Sequence, residues 1–356
     1  MIKHYIRFLL YLQFLFTPSG LIVYALSSPN SNPIHTLLLC RHGDSIWNGG
    51  QPGTKETFTG WTDVPLSQKG IQEASNTGAQ VSSYSYGIDA CFTSILNRAK
   101  ETAHYCMWAF AEQPYFTHPQ KYVSDYRLNE RHYGSLQGYV KHEVENGLLG
   151  HDAGLVRQWR RNWYAIPPLL MEDDPRRIQE VKKYSNFCGG DENVPRGESL
   201  EMVANNRIRP FLDQVLNPIL EEAVEKRMQN VHNEYQDDFT YKNQGGTGLV
   251  IAHANSLRAL IGVICQVEKD EIALKKLEAM KIQTGVPLVM KYRRTLDGQY
   301  QACSISDDYY LNDDNSINKD GSTPLPVWPL SCLPKKSGNP SYHQRGKNQR
   351  IRIDVI

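Results

Sequence analysis

Between Ile34 and Arg294, compact apolar runs alternate with stretches whose apolar residues recur at helical spacing. Thr36 to Cys40 is short and apolar throughout, which predicts a buried strand. Ser67 is placed to cap a helix running through Gln72, Ala74 and Ala79, and Gly87 closes the loop after it. Asp89 to Thr93 predicts a second strand, and Asn97 or Arg98 opens a helix through Trp108. Ser199 to Arg227 is a long helical stretch interrupted by Pro210 and Pro218. Leu249 to Ala252 predicts a third buried strand, with a helix from Ser256 to Cys265 behind it. Strand, turn and helix repeated with short turns predict an α/β fold: three layers around a mostly parallel, doubly wound sheet.

Two segments break the rhythm. Tyr126 to Asp174 is rich in Arg, Tyr and Trp and carries several helix breakers, so it reads as an insertion over the sheet and over any site there. Lys226 to Gly246 is polar and ends in glycines. It lacks the Gly-Lys-Ser/Thr of a nucleotide loop and reads as a surface connector.

The two ends differ from this middle. No Asp or Glu occurs before Asp44, and Lys3, His4 and Arg7 precede an apolar run from Phe8 to Phe16. That is the pattern of a signal or transit peptide, with Ala25 a small residue before a cleavage point. Residues 8–26 are also long enough for membrane contact as an anchor, although Pro18 and Gly20 interrupt them. After Thr295 the chain is polar and Pro-rich, acidic from Asp297 to Asp320 and basic from Lys335 onward. The resulting plan is a targeting leader or anchor at 1–33, a catalytic domain at 34–295 and a flexible tail at 296–356.

Composition narrows the chemistry. Lys plus Arg number 39 against 38 acidic residues, a net charge of +1, which argues against a nucleic-acid binder working through bulk charge. Seven scattered cysteines with no CxxC pair fit neither a disulfide framework nor a zinc site. With no Asn-x-Ser/Thr sequon, this favours an organelle over the secretory pathway as the leader's destination, the cytosol being the alternative.

In open parallel sheets, ligands bind outside the carboxyl ends of the strands. The first predicted strand ends in Arg41-His42-Gly43, the second leads to Arg98, and the third ends in His253-Ala254-Asn255. Two guanidiniums and two imidazoles at one sheet edge make an anion site with a nucleophile inside it. Arginine forks match phosphate bidentately, and a neutral imidazole nitrogen attacks phosphorus. Adjacent cations should push His42 below its ordinary value near ~6.5, and His253 should gain by being charged opposite the phosphate. Glu130, in Arg127-Leu128-Asn129-Glu130-Arg131-His132-Tyr133-Gly134, is the best proton acceptor for a substrate hydroxyl; alone it would read as an ion pair with Arg127 or Arg131.

The blocks LLLCRHGDSIWN, FTGWTDVPLSQKG, TSILNRAKETA, RLNERHYGSLQG, QWRRNWYAIPP, GESL, AHANSLRAL and TGVPLV, from Thr36 to Tyr292, resemble the cofactor-dependent phosphoglycerate mutases of the histidine phosphatase superfamily. The resemblance implies a phosphoglycerate mutase-like fold. It implies His42 as phosphohistidine and Glu130 as proton donor and acceptor. Arg41, Ser45, Asn48, Thr59, Gly60, Arg98, His253, Ala254 and Asn255 would surround the phosphoryl group. Tyr133, Lys141, Arg160 and Arg161 would hold the carboxylate and second phosphate of a glycerate ester. It further implies interconversion of 3- and 2-phosphoglycerate in glycolysis and gluconeogenesis, an isomerase reaction primed by 2,3-bisphosphoglycerate without a metal. A homo-oligomer is compatible with it.

Three departures stand out: Ala254 where the family has Gly, Asp44-Ser45-Ile46 after the histidine, and a longer stretch from Gly49 to Thr57. The competing readings are a bisphosphoglycerate synthase or phosphatase, a membrane-anchored protein phosphatase of the same superfamily, and an inactive phosphoester-binding relative.

Overall fold

A computed structural model describes residues 33–84, 87–113, 116–231, 244–303 and 328–329. The apolar run of the first predicted strand forms β1 (Ile34–Arg41), buried from Leu37 to Cys40. It lies between β4 (Gln244–Ala252), parallel to it, and β5 (Leu288–Arg294), antiparallel to it. Beyond β4 lie β2 (Ala90–Thr93) and β3 (Lys121–Ser124), both parallel; β6 (Tyr300–Cys303) pairs antiparallel on β5. The order is β3-β2-β4-β1-β5-β6, with β7 (Trp328–Pro329) also on β5.

Successive residues of β1 serve opposite faces, as the pleat requires. Leu37 and Leu39 enter a core with Phe92, Val250 and the helices of one face, whereas Leu38 and Cys40 enter a second core with Cys91, Leu249 and Ile251. The second face is covered by α1 (Gln68–Tyr84) and α2 (Asn97–Ala111). Ser67 caps α1 as its position suggests: its Oγ accepts from Gly70 N at 3.1 Å.

Over the sheet edge lie α3 (Lys141–Glu145), α4 (Ala153–Arg161) and α5 (Pro175–Cys188), the last opened by Asp174 and Pro175. α3 and α4 pack on a small core of Phe58, Tyr133, Leu136, Val144 and Val156 and α5 on another with Trp61, while Leu128 and Trp163 tie the segment read as an insertion to the core that holds Leu37 and Leu39.

The first face is covered by a long helix, α6, and by α7 (Ala254–Ile264) and α8 (Glu271–Ala279). α6 begins at Leu200–Met202 and ends with Asn217–Val231. The prolines expected to jolt it do so locally. Wide π-helical turns, Val203–Ile208 and Leu212–Leu216, precede Pro210 and Pro218. A proline lacks the N–H that an α-helical carbonyl four residues earlier needs, and a widened turn relieves that mismatch.

Two sequence expectations need correction. The glycines at the end of 226–246 are not a connector: Gly245 and Gly246 belong to β4. A Cβ on Gly245 would lie 2.2 Å from Ile34 O and one on Gly246 2.8 Å from Leu220 Cβ, so these glycines let β4 close on β1 and α6. The domain also continues past Thr295. Tyr300 on β6 is buried, donates its hydroxyl to Asp213 Oδ1 at 2.6 Å and accepts from Asn217 Nδ2 at 2.8 Å. Tyr300→Ala should therefore cost about 3–5 kcal/mol, the usual penalty for emptying a buried aromatic site; urea unfolding reads it, and a loss below ~1 kcal/mol would make β6 peripheral.

Cys40, Cys91, Cys106, Cys188 and Cys265 are free. Among the described residues no helix is long and apolar enough to cross a membrane. The expectations for residues 1–32 and for most of the tail lie outside the described residues.

Candidate active site

β1, β2 and β4 bring their carboxyl ends together, and the expected residues meet there. His42 follows β1 and is 4% exposed; His253 follows β4 and is 0% exposed; their rings lie 4.9 Å apart, centroid to centroid. The His42 backbone is held by its N–H donating to Ala252 O at 2.9 Å. Its Nδ1 lies 2.7 Å from Gly43 O, which can only accept, so Nδ1 carries the proton. The lone pair is left on Nε2.

Gly43 is fixed in turn. Its N–H donates to Thr102 Oγ1 at 2.9 Å, and a Cβ on Gly43 would meet Gly70 O at 2.3 Å. Only glycine lets β1 turn so closely over the start of α1. Burial, then Arg98 and Arg41, hold the His42 imidazole well below its ordinary value. The sequence expectation of a neutral His42 names the same cations, but burial contributes more.

Arg98, on the first turn of α2, is buried and oriented by one bond from each guanidinium nitrogen, which leaves a second N–H on each Nη for an anion. Nη1 donates to Thr62 O at 2.9 Å, Nη2 to Gly60 O at 2.8 Å and Nε to His253 Nδ1 at 3.2 Å. Burial lowers it to about 10, against the pull of Glu130 and Asp63, so it is charged at neutral pH. Because Arg98 Nε–H donates to His253 Nδ1, that nitrogen is unprotonated; Nε2 then donates to Ser94 Oγ at 2.7 Å. His253 is thus neutral in this arrangement, and burial, followed by Arg98, keeps it well below its ordinary value. This corrects the expectation of a charged His253: a guanidinium already occupies the nitrogen that would take the proton.

The third strand end carries Ala254 and Asn255 into α7. Ala254 raises no backbone strain, since Gln266 is the only non-glycine with positive φ among the described residues. Asn255 is a hub. Its N–H donates to Glu130 Oε1 at 3.2 Å, its Nδ2 to Tyr133 OH at 2.7 Å, and its Oδ1 accepts from Arg258 Nη1 at 2.5 Å. Glu130 Oε1 also accepts from Arg131 N at 2.8 Å. The ion pair with Arg127 or Arg131 is not formed: Arg127 pairs with Asp125, and Arg131 stacks on the Tyr133 ring at 4.9 Å.

Ser45 and Asn48 face each other, with Ser45 N and Oγ donating to Asn48 Oδ1 at 2.8 and 2.6 Å. Thr59 is bonded to Thr57 O at 3.2 Å. Gly60 serves through its carbonyl on Arg98. Arg41 Nη1 donates to Ile282 O at 3.1 Å, while its buried Nε has no partner. At the mouth, Lys141 and Arg160 converge on Glu56. Arg161 is exposed and joins neither, so the pair expected to act together is split.

Several residues that hold the site had no assigned role in the sequence. Arg207, in the first π-helical turn of α6, chelates Glu198 with Nε and Nη2, both at 2.9 Å. It also donates from Nη1 to Asn129 O at 2.8 Å, while Glu198 Oε2 accepts from His132 N at 2.8 Å. This buried pair clamps both sides of Glu130. Trp61 Nε1 completes the clamp, donating to Glu130 O at 2.8 Å. Wide helical turns are frequent at functional sites, and Arg207 is the one signal the proline spacing could have offered.

A nucleophilic nitrogen beside two arginines, with a carboxylate across the pocket, is equipped for phosphoryl transfer: the cations meet the equatorial oxygens and the imidazole meets phosphorus. Comparison with known proteins agrees. Residues 37–180 match the family model described as histidine phosphatase superfamily (branch 1). The 2,3-bisphosphoglycerate-dependent phosphoglycerate mutase of Wigglesworthia glossinidia brevipalpis is 32% identical over 72% of this chain and 92% of its own length. The protein of that name from Neisseria meningitidis serogroup C / serotype 2a is 36% identical over 72% and 93%. A solved phosphoglycerate mutase from Bacillus anthracis str. Sterne is similar at 18% identity and a TM-score of 0.38, covering 77% of this chain and 94% of that one. An enzyme of phosphotransferase or phosphatase type, the chain belongs to the histidine phosphatase superfamily, in the family of the 2,3-bisphosphoglycerate-dependent phosphoglycerate mutases.

Proposed function

We propose that the enzyme interconverts 3- and 2-phosphoglycerate, primed by 2,3-bisphosphoglycerate, and so serves glycolysis and gluconeogenesis. The observation that supports this best is the second cationic group, Lys141 with Arg160, outside the phosphoryl pocket. A simple phosphate monoester has no use for it. A glycerate ester, with a carboxylate and up to two phosphates, does.

His42 Nε2, once phosphorylated, gives its phosphoryl group to the C2 hydroxyl of 3-phosphoglycerate: the N–P bond breaks and an O–P bond forms. Glu130 takes the hydroxyl proton. Its Oε1 is occupied by Arg131 N and Asn255 N, which leaves Oε2 for that proton. His42 then accepts the C3 phosphoryl group, and Glu130 returns the proton to the C3 oxygen, releasing 2-phosphoglycerate. Arg41 and Arg98 carry the charge of the transferring group throughout, the task a metal performs elsewhere.

A coupled assay with 3-phosphoglycerate, with and without primer and with EDTA, tests this. Turnover should require primer and survive EDTA. Lys141→Ala with Arg160→Ala should lower kcat/KM for phosphoglycerate by roughly 10²-fold, as two charge-assisted contacts of about 1.5 kcal/mol each are lost. Hydrolysis of a small aryl phosphate should change far less. A parallel fall of both reactions would make the pair structural and return the protein-phosphatase reading to the front.

A further inference from the structure

The cation pair at the mouth is bridged by a carboxylate of the chain itself. Glu56 Oε1 accepts from Lys141 Nζ at 2.7 Å, and Oε2 from Arg160 Nη2 at 3.4 Å. Glu56 lies in the stretch from Gly49 to Thr57 that is long for the family. Its backbone is pinned: Lys141 N donates to Glu56 O at 2.8 Å, Thr57 N to Trp47 O at 3.0 Å, and Glu56 bridges Asn48. The side chain is not pinned in the same way, for it remains 48% exposed beside Lys141 at 17%. A shallow cavity of about 250 Å³ opens at this point, lined by Glu56, Lys141, Arg160 and Val140 and by Glu145, whose carboxylate lies 3.6 Å from Arg160 Nη1. Partial burial disfavours the Glu56 anion, yet Lys141, Arg160 and Arg41 outweigh it and hold the carboxyl below its usual range. Arg41 adjoins His42, so this carboxylate sits within the field of the phosphoryl pocket.

We propose that Glu56 is a tethered stand-in for the substrate's carboxylate: it occupies the Lys141–Arg160 subsite and must rotate out before a ligand's second anionic group can enter. This rests on the reading that the subsite serves that group. The backbone bonds stay in place during the exchange; only the side chain turns towards solvent. The penalty falls on ligands that use the subsite, and not on a phosphate that occupies the inner pocket alone. A tethered carboxylate also displaces weak, abundant anions from the subsite and helps product to leave it.

Glu56→Gln removes the charge and keeps the shape. KM for 3-phosphoglycerate should fall roughly three- to fivefold, the scale of a partly exposed ion pair, with kcat changing less than KM. KM for an aryl phosphate without a second anion should not move. In a Lys141→Ala, Arg160→Ala background the effect of Glu56→Gln should vanish, and Glu56→Ala, checked by thermal melting, should reproduce the KM effect of Glu56→Gln in the otherwise native enzyme. An unchanged KM for 3-phosphoglycerate, or an equal fall for both substrates, would overturn the assignment. Calorimetric titration of wild type and Glu56→Gln with 3-phosphoglycerate and with inorganic phosphate separates the same outcomes without turnover: tighter binding of the first alone supports the assignment, equal changes sink it. Absence of 3-phosphoglycerate turnover in wild type would instead defeat the mutase reading.

Discussion

His42→Ala is expected to lower turnover by about 10⁴-fold or more, because no other imidazole nitrogen in the pocket is free to carry the phosphoryl group. Burial and two guanidiniums keep the imidazole neutral, and Gly43 O fixes the proton on Nδ1, so Nε2 is the free nucleophile. His253 cannot substitute, since both its nitrogens are engaged, by Arg98 and by Ser94. Incubation with labelled primer should leave an acid-labile, alkali-stable phosphate on wild type and none on the variant. Equal labelling of the two proteins would move the covalent role elsewhere. Folding should survive, at a cost of no more than about 2 kcal/mol for one lost hydrogen bond and a small cavity.

The same substitution should change how stability depends on pH. His42, His253 and His35 all lie below their ordinary values in the folded chain, chiefly through burial. The unfolded chain takes up protons on these residues below about pH 6.5, where the folded chain does not. Stability is therefore complete above that pH and falls as the pH drops. Removing His42 removes one such proton, so the variant should lose stability less steeply between about pH 6.5 and 5 than wild type does.

The parts of this site that sequence made legible are those in which a strand announces its own end. β1 and β4 are apolar runs that stop at Arg41-His42 and Ala252-His253, so the runs alone place three functional groups, Arg41, His42 and His253, on one edge. β3, by contrast, has the buried-exposed alternation of an edge strand in only four residues, KYVS, and β5 turns polar halfway along as LVMKYRR. Neither pattern stands out from loop. The buried charges were harder still. Arg207 and Arg258 lie within predicted helices and Glu198 just before one, with nothing in the pattern to mark them, and only tertiary proximity makes them a clamp around Glu130 and Asn255. Arg258 is lowered to about 10 by burial, with Glu130 and Tyr133 opposing the shift. Ala254 is the reverse case: at a position where the resemblance has Gly, a positive φ would strain an alanine, whereas the residue simply opens α7 in unstrained backbone.

Glu130→Gln separates the proton transfer from the phosphoryl transfer. The substitution retains a carbonyl oxygen for Arg131 N and Asn255 N, and leaves the main-chain bond from Trp61 Nε1 untouched. The buried Glu198–Arg207 pair still holds the loop on either side, so the pocket should keep its shape. What the amide cannot do is take a proton from the C2 hydroxyl. Turnover should therefore fall by about 10²–10⁴, the usual contribution of general acid–base catalysis. Loading of His42 by primer should suffer too, because the departing glycerate oxygen needs its proton from Glu130. Hydrolysis of an aryl phosphate with a good leaving group needs no such proton for His42 to be phosphorylated, so rapid-quench labelling from that donor should stay near the wild-type rate. The distinction gives the experiment its force: a variant slow with phosphoglycerate and fast with the aryl donor has lost the shuttle alone. Equal slowing with both donors would mean that Glu130 shapes the phosphoryl pocket, and turnover within twofold of wild type would assign the proton to another group.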